Sequence, residues 1–206
     1  MQNKSLSDKK QKAASHSFNP FNDRLSRDIR NSLSDAFVAS LKQREAEAYL
    51  EQSREWLAKG LASGYKEYIQ DRMRRYDLAF QQIQIEKIDD ARIQALILWN
   101  GGLFFEVHDI LEDIWHRTQG ETHQAIKGLI KAAGVYVHLE YNRSDSAERL
   151  AVKSVGLLRK YSGILGFISN LNVLIGALKN GDTLPPVLEY SNIELEGNHH
   201  DQPSHQ

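Results

Sequence analysis

The sequence predicts an all-α protein, a single compact helical bundle of about seven or eight helices. Three observations carry that reading. Apolar residues recur at spacings of three and four along most of the chain. Only 4 prolines and 13 glycines interrupt them. No stretch alternates apolar and polar residues over the length of a strand.

The elements follow in order. Residues 1–17 are rich in Ser, Gln and Lys and read as a disordered basic tail. Pro20 precedes Phe21-Asn22-Asp23, a helix-start signal. Leu25, Ile29, Leu33, Phe37 and Leu41 then fall every four residues on one stripe. Ala46, Tyr49, Leu50, Trp56 and Leu57 mark a second helix that ends near Gly60 or Gly64. Tyr65, Tyr68, Ile69, Met73, Tyr76 and Phe80 mark a third, its tyrosines read as core. Ile93, Leu96 and Ile97 mark a fourth, broken at Gly101-Gly102. Further helices are expected at about 102–117, 122–141, 145–161 and 167–180. Pro185-Pro186 closes the fold. The divisions are therefore 18–94 for N-terminal helices packed on the rest, 95–188 for a helical core, and 189–206 for a disordered polar tail.

Composition excludes several chemistries. The absence of Cys removes disulfides, thiolate metal sites and thiol catalysis. With 26 basic and 27 acidic side chains the net charge is −1, which gives no reason to expect tight binding to nucleic acid. Residues 1–100 hold 17 basic against 14 acidic side chains, and 101–206 hold 9 against 13. Arg24, Arg27 and Arg30 sit beside Asp23 and Asp28, so ion pairs within the helix are their expected use. The most apolar run, Ile164–Leu178, is 15 residues long and carries Ser169, Asn170 and Asn172, too short and too polar for a membrane span. The N-terminus lacks the apolar core of a signal peptide, and a cytoplasmic location is expected.

The chemistry is concentrated between Trp99 and Asn142. On a helix with Glu106 at zero, Phe104, Phe105, His108, Leu111, Glu112 and Trp115 fall between roughly 140° and 260°. Leu103, Val107, Ile110 and Ile114 fall between roughly 40° and 100°, leaving Glu106, Asp109, Asp113 and His116 as a polar stripe. His108 and Glu112 are thus expected inside the apolar arc, four residues apart and in contact. A buried Glu needs a partner. His108 can serve as imidazolium, or a divalent metal ion can bridge the two. Glu106, Asp109 and Asp113 read as a solvated acidic stripe. If that stripe instead faces a pocket, its three carboxylates could hold a divalent cation, and Glu106 and Asp109 are the candidate catalytic residues that would position water in a metal-dependent enzyme.

The short link Thr118–Thr122 predicts an antiparallel pair with the next helix. His138 then falls near the start of the preceding helix, and Gly134 allows the two backbones to approach. Lys127 and Lys131 fall nearer Glu112 and Trp115. The expected polar pocket comprises His108, Glu112, Trp115, Lys127, Lys131, His138 and Asn142, with His108, Glu112 and His138 as the candidate metal ligands.

The run Gly102-Leu103-Phe104-Phe105-Glu106-Val107-His108-Asp109-Ile110-Leu111-Glu112, with Trp115, resembles the signature of the domain of unknown function 309 family. That signature is a Gly, two aromatics, then Glu-x-His-Glu-x-Leu-Glu-x-x-Trp. A second element of the family resembles Lys127-Gly128-Leu129-Ile130 with Ala132-Ala133, His138 and Asn142. The resemblance covers about 95–180. The opening Phe18–Leu25 with Arg27–Asn31 is similar to longer bacterial members. The resemblance implies a compact all-helical fold and no established activity. Asp109 stands where the family has Glu, and Lys127 where it has Gln, so Lys127 would oppose a cation held there.

Two function classes follow. The first is a ligand- or partner-binding or scaffold module with a buried His108–Glu112 site, which could form a homo-oligomer to cover surplus apolar helix surface. The second is a metal-dependent, hydrolase-like enzyme using His108, Glu112 and His138.

Overall fold

A computed structural model describes residues 18–191 of the chain. The tail expected at 1–17, and residues 192–206 of the tail expected at 189–206, lie outside the described residues. Among the described residues there are eight α-helices: α1 Arg24–Gln43, α2 Glu47–Leu57, α3 Ser63–Ile85, α4 Ala91–Asn100, α5 Phe104–Arg117, α6 Gly120–Glu140, α7 Ser144–Lys160 and α8 Leu171–Asn180. A single 3₁₀ turn, Ser162–Leu165, joins α7 to α8. No described helix is long and apolar enough to cross a membrane.

The start of α1 shows how local chemistry sets a boundary. The Asp23 carboxylate accepts hydrogen bonds from Ser26 N at 2.8 Å, Leu25 N at 3.3 Å and Ser26 Oγ at 2.7 Å. Two otherwise orphaned amides of the first turn are satisfied in this way. Tyr65 of α3 donates its hydroxyl to the same carboxylate at 2.9 Å, tying the cap to a second helix. These bonds, led by that from Ser26, lower the Asp23 pKa to about 2.

The stripe predicted for α1 is its buried face: Ile29, Leu33 and Phe37 are fully buried and Leu41 nearly so. On α3 the buried positions are Tyr65, Ile69, Arg72, Tyr76, Ala79 and Ile83. Helix α4 is buried from Ala95 to Trp99. One apolar cluster runs through α1, α3 and α4 as well as α5 to α8. Helix α6 lies between α5 and α7 as a central element.

Two details differ from expectation. Gly134 admits α7, not α5: a Cβ there would lie 3.3 Å from Leu150. Gly128 does the same more tightly, at 3.1 Å from both Leu157 and Leu158. The C-terminal boundary also falls later than 189. Ser169 N donates to Glu189 O at 2.9 Å and Ser191 N to Phe167 O at 3.1 Å, so 189–191 pair with the segment before α8. After α8 the chain returns to α4, where Trp99 Nε1 donates to Pro186 O at 2.8 Å. Asn100 holds both the N–H and the C=O of Leu188 at 2.8 Å.

Candidate functional site

Helix α5 starts after Gly102, whose left-handed φ of +69° turns the chain out of α4. Its orientation departs from the expected polar assignment at Glu106, His108 and Glu112. Glu106 is completely buried, whereas His108 and Glu112 retain side-chain exposures of 34% and 45%. The reason is the cover. Helix α1 packs on α5, and residues of α1 and α3 meet the polar stripe with matching partners. Tyr76 of α3 donates its hydroxyl to Glu106 Oε1 at 2.6 Å. Ser34 of α1 donates to Asp109 Oδ2 at 2.5 Å. Lys42 of α1 pairs with Asp113, which Arg117 also holds at 3.1 Å. Glu106 and Asp109 of the stripe are therefore covered by the N-terminal helices, while Asp113, 41% exposed, and His116 remain at the surface.

Three polar side chains meet at the resulting edge of α5. His108 Nδ1 lies 3.4 Å from Asp109 Oδ1 and 3.9 Å from Glu112 Oε2. One donor atom from each of the three falls within 4.8 Å of the others. The His108 ring lies parallel to that of Phe105 with centroids 6.2 Å apart, and the Arg30 guanidinium lies over the Phe105 ring, 3.8 Å from its centroid. Burial lowers the pKa of Arg30, while Asp109 and Glu106 act against that shift. Burial and the proximity of Asp109 raise the pKa of Asp35 on α1.

His138 does not join this group. It stacks on Phe21 at 4.8 Å and accepts a hydrogen bond from Arg143 Nε at its Nδ1, 3.3 Å away. Burial lowers its pKa, and Arg143 and Arg149 push in the same direction. The other expected pocket residues are dispersed too. Among the described residues, no hydrogen bond or ion pair joins Lys127 or Lys131 to His108, Asp109 or Glu112. Lys131 instead neighbours Lys127 and Lys153 of α7, and burial followed by those charges lowers its pKa. Trp115 packs on His123 at the turn between α5 and α6, with ring centroids 4.4 Å apart. Asn142 is exposed and takes a left-handed φ of +56°, where it ends α6.

A second polar centre, absent from the sequence reading, lies behind Glu106. Arg72 of α3 is 4% exposed. Its Nε is 3.9 Å from Glu106 Oε1 and its Nη2 is 3.6 Å from Glu140 Oε2, both beyond hydrogen-bond length. Its hydrogen bond runs from Nη1 to Gly102 O at 3.2 Å. Tyr68 Oη, Arg72 Nε and Glu106 Oε2 are buried without a partner. Burial, and after it the Glu106 charge, hold the Tyr76 pKa well above its usual value, which keeps its hydroxyl a donor. The signal for this centre was present at low strength: Arg72 occupies an apolar-stripe position between Ile69 and Tyr76.

No curated protein and no solved structure matches the chain. A family model does, over residues 93–150, from Ile93 in α4 to Leu150 in α7. It carries the description Domain of unknown function (DUF309), and the matched stretch includes Glu106, His108, Asp109, Glu112 and Glu140. Residues 93–150 of this chain are thus similar to the DUF309 family, a match that spans less than a third of its length.

Proposed function

We propose that the chain is a ligand-binding module whose His108–Asp109–Glu112 edge takes a divalent cation. One observation carries the reading: an imidazole nitrogen and two carboxylate oxygens within 4.8 Å of one another on a single, half-exposed edge of α5. A mixed nitrogen and oxygen donor set suits first-row transition metals. The hydrogen bond from Ser34 fixes the far oxygen of Asp109 and leaves Oδ1 turned towards His108. Side-chain exposures of 34%, 23% and 45% leave room for water or a further ligand on a bound ion. Lys127, which would oppose a cation, has no contact with these donors that tells against the reading.

The metal-dependent hydrolase reading shares His108 and Glu112. It loses support at His138, which Phe21 and Arg143 already engage. In that reading Asp109 would serve as the third ligand, and the ion would activate a bound water.

The test is calorimetric titration with Zn²⁺ and with Mn²⁺. His199, His200 and His205 should first be changed to alanine, since a polar His-containing segment can bind metal by itself. One ion per chain is expected, with affinity falling about tenfold or more in His108→Ala, the loss of one ligand exceeding that seen on losing an outer hydrogen bond. Equal stoichiometry and affinity in His108→Ala would overturn the reading.

A further inference from the structure

A cavity of about 210 Å³ opens between α3 and the C-terminal end of α6, on the far side of Arg72 from Glu106. Phe18, stacked on Tyr68 at 3.6 Å, forms one wall, and Tyr141 forms another. Arg72 and Arg75 supply the cationic lining, and Asp71 and Glu140 the acidic.

The electrostatics of that lining are unequal. Asp71 is spent: Arg75 Nε holds it at 2.7 Å and Arg74 Nη2 at 3.0 Å. Glu106 lies behind Arg72 and receives the Tyr76 hydroxyl. Arg72, 4% exposed, is only partly engaged: Nη1 donates to Gly102 O at 3.2 Å, and its pairings with Glu106 at 3.9 Å and Glu140 at 3.6 Å are both beyond hydrogen-bond length, leaving Nε and Nη2 without a hydrogen-bond acceptor. The remaining acid is Glu140. It faces Arg72, Arg75 and Asp71 from α3 and Glu106 from α5. Burial is the largest influence on it and pushes its pKa up to about 7, against the pull of Arg72. With Glu140 protonated, the cavity presents the remaining donors of Arg72, the Nη2 of Arg75 (whose Nε holds Asp71 and whose Nη1 holds Gly101 O), a carboxyl O–H and the phenol of Tyr141. A buried guanidinium is best satisfied by a planar or tetrahedral oxyanion that accepts two of its donors at once.

We propose that this cavity binds a small oxyanion, a carboxylate or a phosphate monoester group, which pairs with Arg72 and Arg75 in place of the Glu140 carboxylate. The site is separate from the α5 edge and does not depend on a cation there.

The full chain, freed of metal by passage over a chelating resin so that metal sites contribute nothing, should be titrated calorimetrically with sodium acetate and with inorganic phosphate in chloride-free buffer without a carboxylate chelator. Acetate keeps its charge between pH 6 and 8, so a pH dependence of its binding comes from the protein. Saturable binding is expected at pH 6. If only the protonated Glu140 form binds, acetate affinity falls about tenfold by pH 8. In Glu140→Gln that dependence disappears and binding at pH 8 matches the wild type at pH 6. Arg75→Gln, a partly exposed position whose change the fold should survive, weakens binding about fivefold or more. Tighter binding of phosphate than of acetate identifies a phosphate ester as the natural group, and the opposite order a carboxylate. No saturable binding of either anion at pH 6 overturns the proposal. So does binding that neither variant changes, and Arg72 is then a purely internal counter-charge.

Discussion

The Arg72–Glu106 pair gives the sharpest test of how the N-terminal helices are joined to α5. Replacing Glu106 by Gln keeps the shape and leaves a carbonyl to accept the Tyr76 hydroxyl, now 2.6 Å from Oε1. It removes the charge 3.9 Å from Arg72 Nε, in a place where Arg72 is 4% and Glu106 0% exposed. Stranding one member of a buried ion pair costs about 3–5 kcal/mol. Glu140, 3.6 Å from Arg72 on the other side, retains part of the compensation, which places the cost at the lower end, about 3 kcal/mol. With a urea m-value of about 2 kcal/mol/M for a domain of this size, the unfolding midpoint falls by about 1.5 M. Adding Arg72→Met removes the stranded cation and should restore at least half of that loss, because the two sites are coupled. A Glu106→Gln midpoint within about 0.4 M of wild type, or strictly additive losses in the double variant, would refute the argument that Glu106 holds Arg72 in place.

Three further outcomes follow from the geometry. Asp23→Ala removes the cap of α1 and costs about 1 kcal/mol, and thermal melts should show the difference above pH 5 and lose it towards pH 2. The sign follows from a depressed carboxyl: with a pKa of about 2 in the fold against 3.8 ordinarily, its contribution is present above the ordinary value and lost as pH falls through the lower one. Solvent screening at this largely accessible cap keeps the effect well below the roughly 2.5 kcal/mol that the shift alone would allow. Gly128→Ala drives a Cβ to 3.1 Å from Leu157 and Leu158, and chemical denaturation should show a loss of about 1–3 kcal/mol despite alanine's better helix propensity; a gain would mean that α7 shifts freely. Gly102→Ala puts a Cβ 2.5 Å from Arg75 Nη1 at a φ of +69°, and a melting curve no lower than wild type would contradict the expected loss of about 1–2 kcal/mol.

The helices were legible because each carries its own evidence. The four-residue spacing from Leu25 to Leu41 needs no knowledge of a partner to be read as a buried stripe, and Ile29, Leu33 and Phe37 are fully buried. The break at Gly101-Gly102 was equally local, since a residue at φ +69° favours glycine. Boundaries moved where the competing interaction was distant. Glu189–Ser191 look like the start of a polar tail, yet the Phe167–Ser169 strip, 20 or so positions away, supplies them with backbone partners.

The site was legible only as a set of residues, because burial of a helix face is decided by what covers it. Taken alone, α5 has an apolar arc containing His108 and Glu112 and a polar stripe containing Glu106, and the economical reading buries the arc. Phe104 and Leu111 of the arc are buried as that reading has it, but the N-terminal helices also bury Glu106 by bringing polar groups to the stripe: Tyr76 to Glu106, Ser34 to Asp109, Lys42 to Asp113. Each of those partners lies at least 30 positions from the residue it meets, beyond the reach of helical periodicity. His138 fails for the same reason. Its place on α6 was inferred from the antiparallel pairing alone, whereas Phe21, ahead of α1, provides the aromatic face it stacks on. The family match covers α4 through the first half of α7, so it contains the acids Glu106 and Glu140 but not the cation Arg72 between them. In this chain the buried charge of the family segment is therefore completed from outside that segment. A variant lacking α1 to α3 would leave Glu106 without both Tyr76 and Arg72, so the N-terminal helices are part of the folded unit that holds the site.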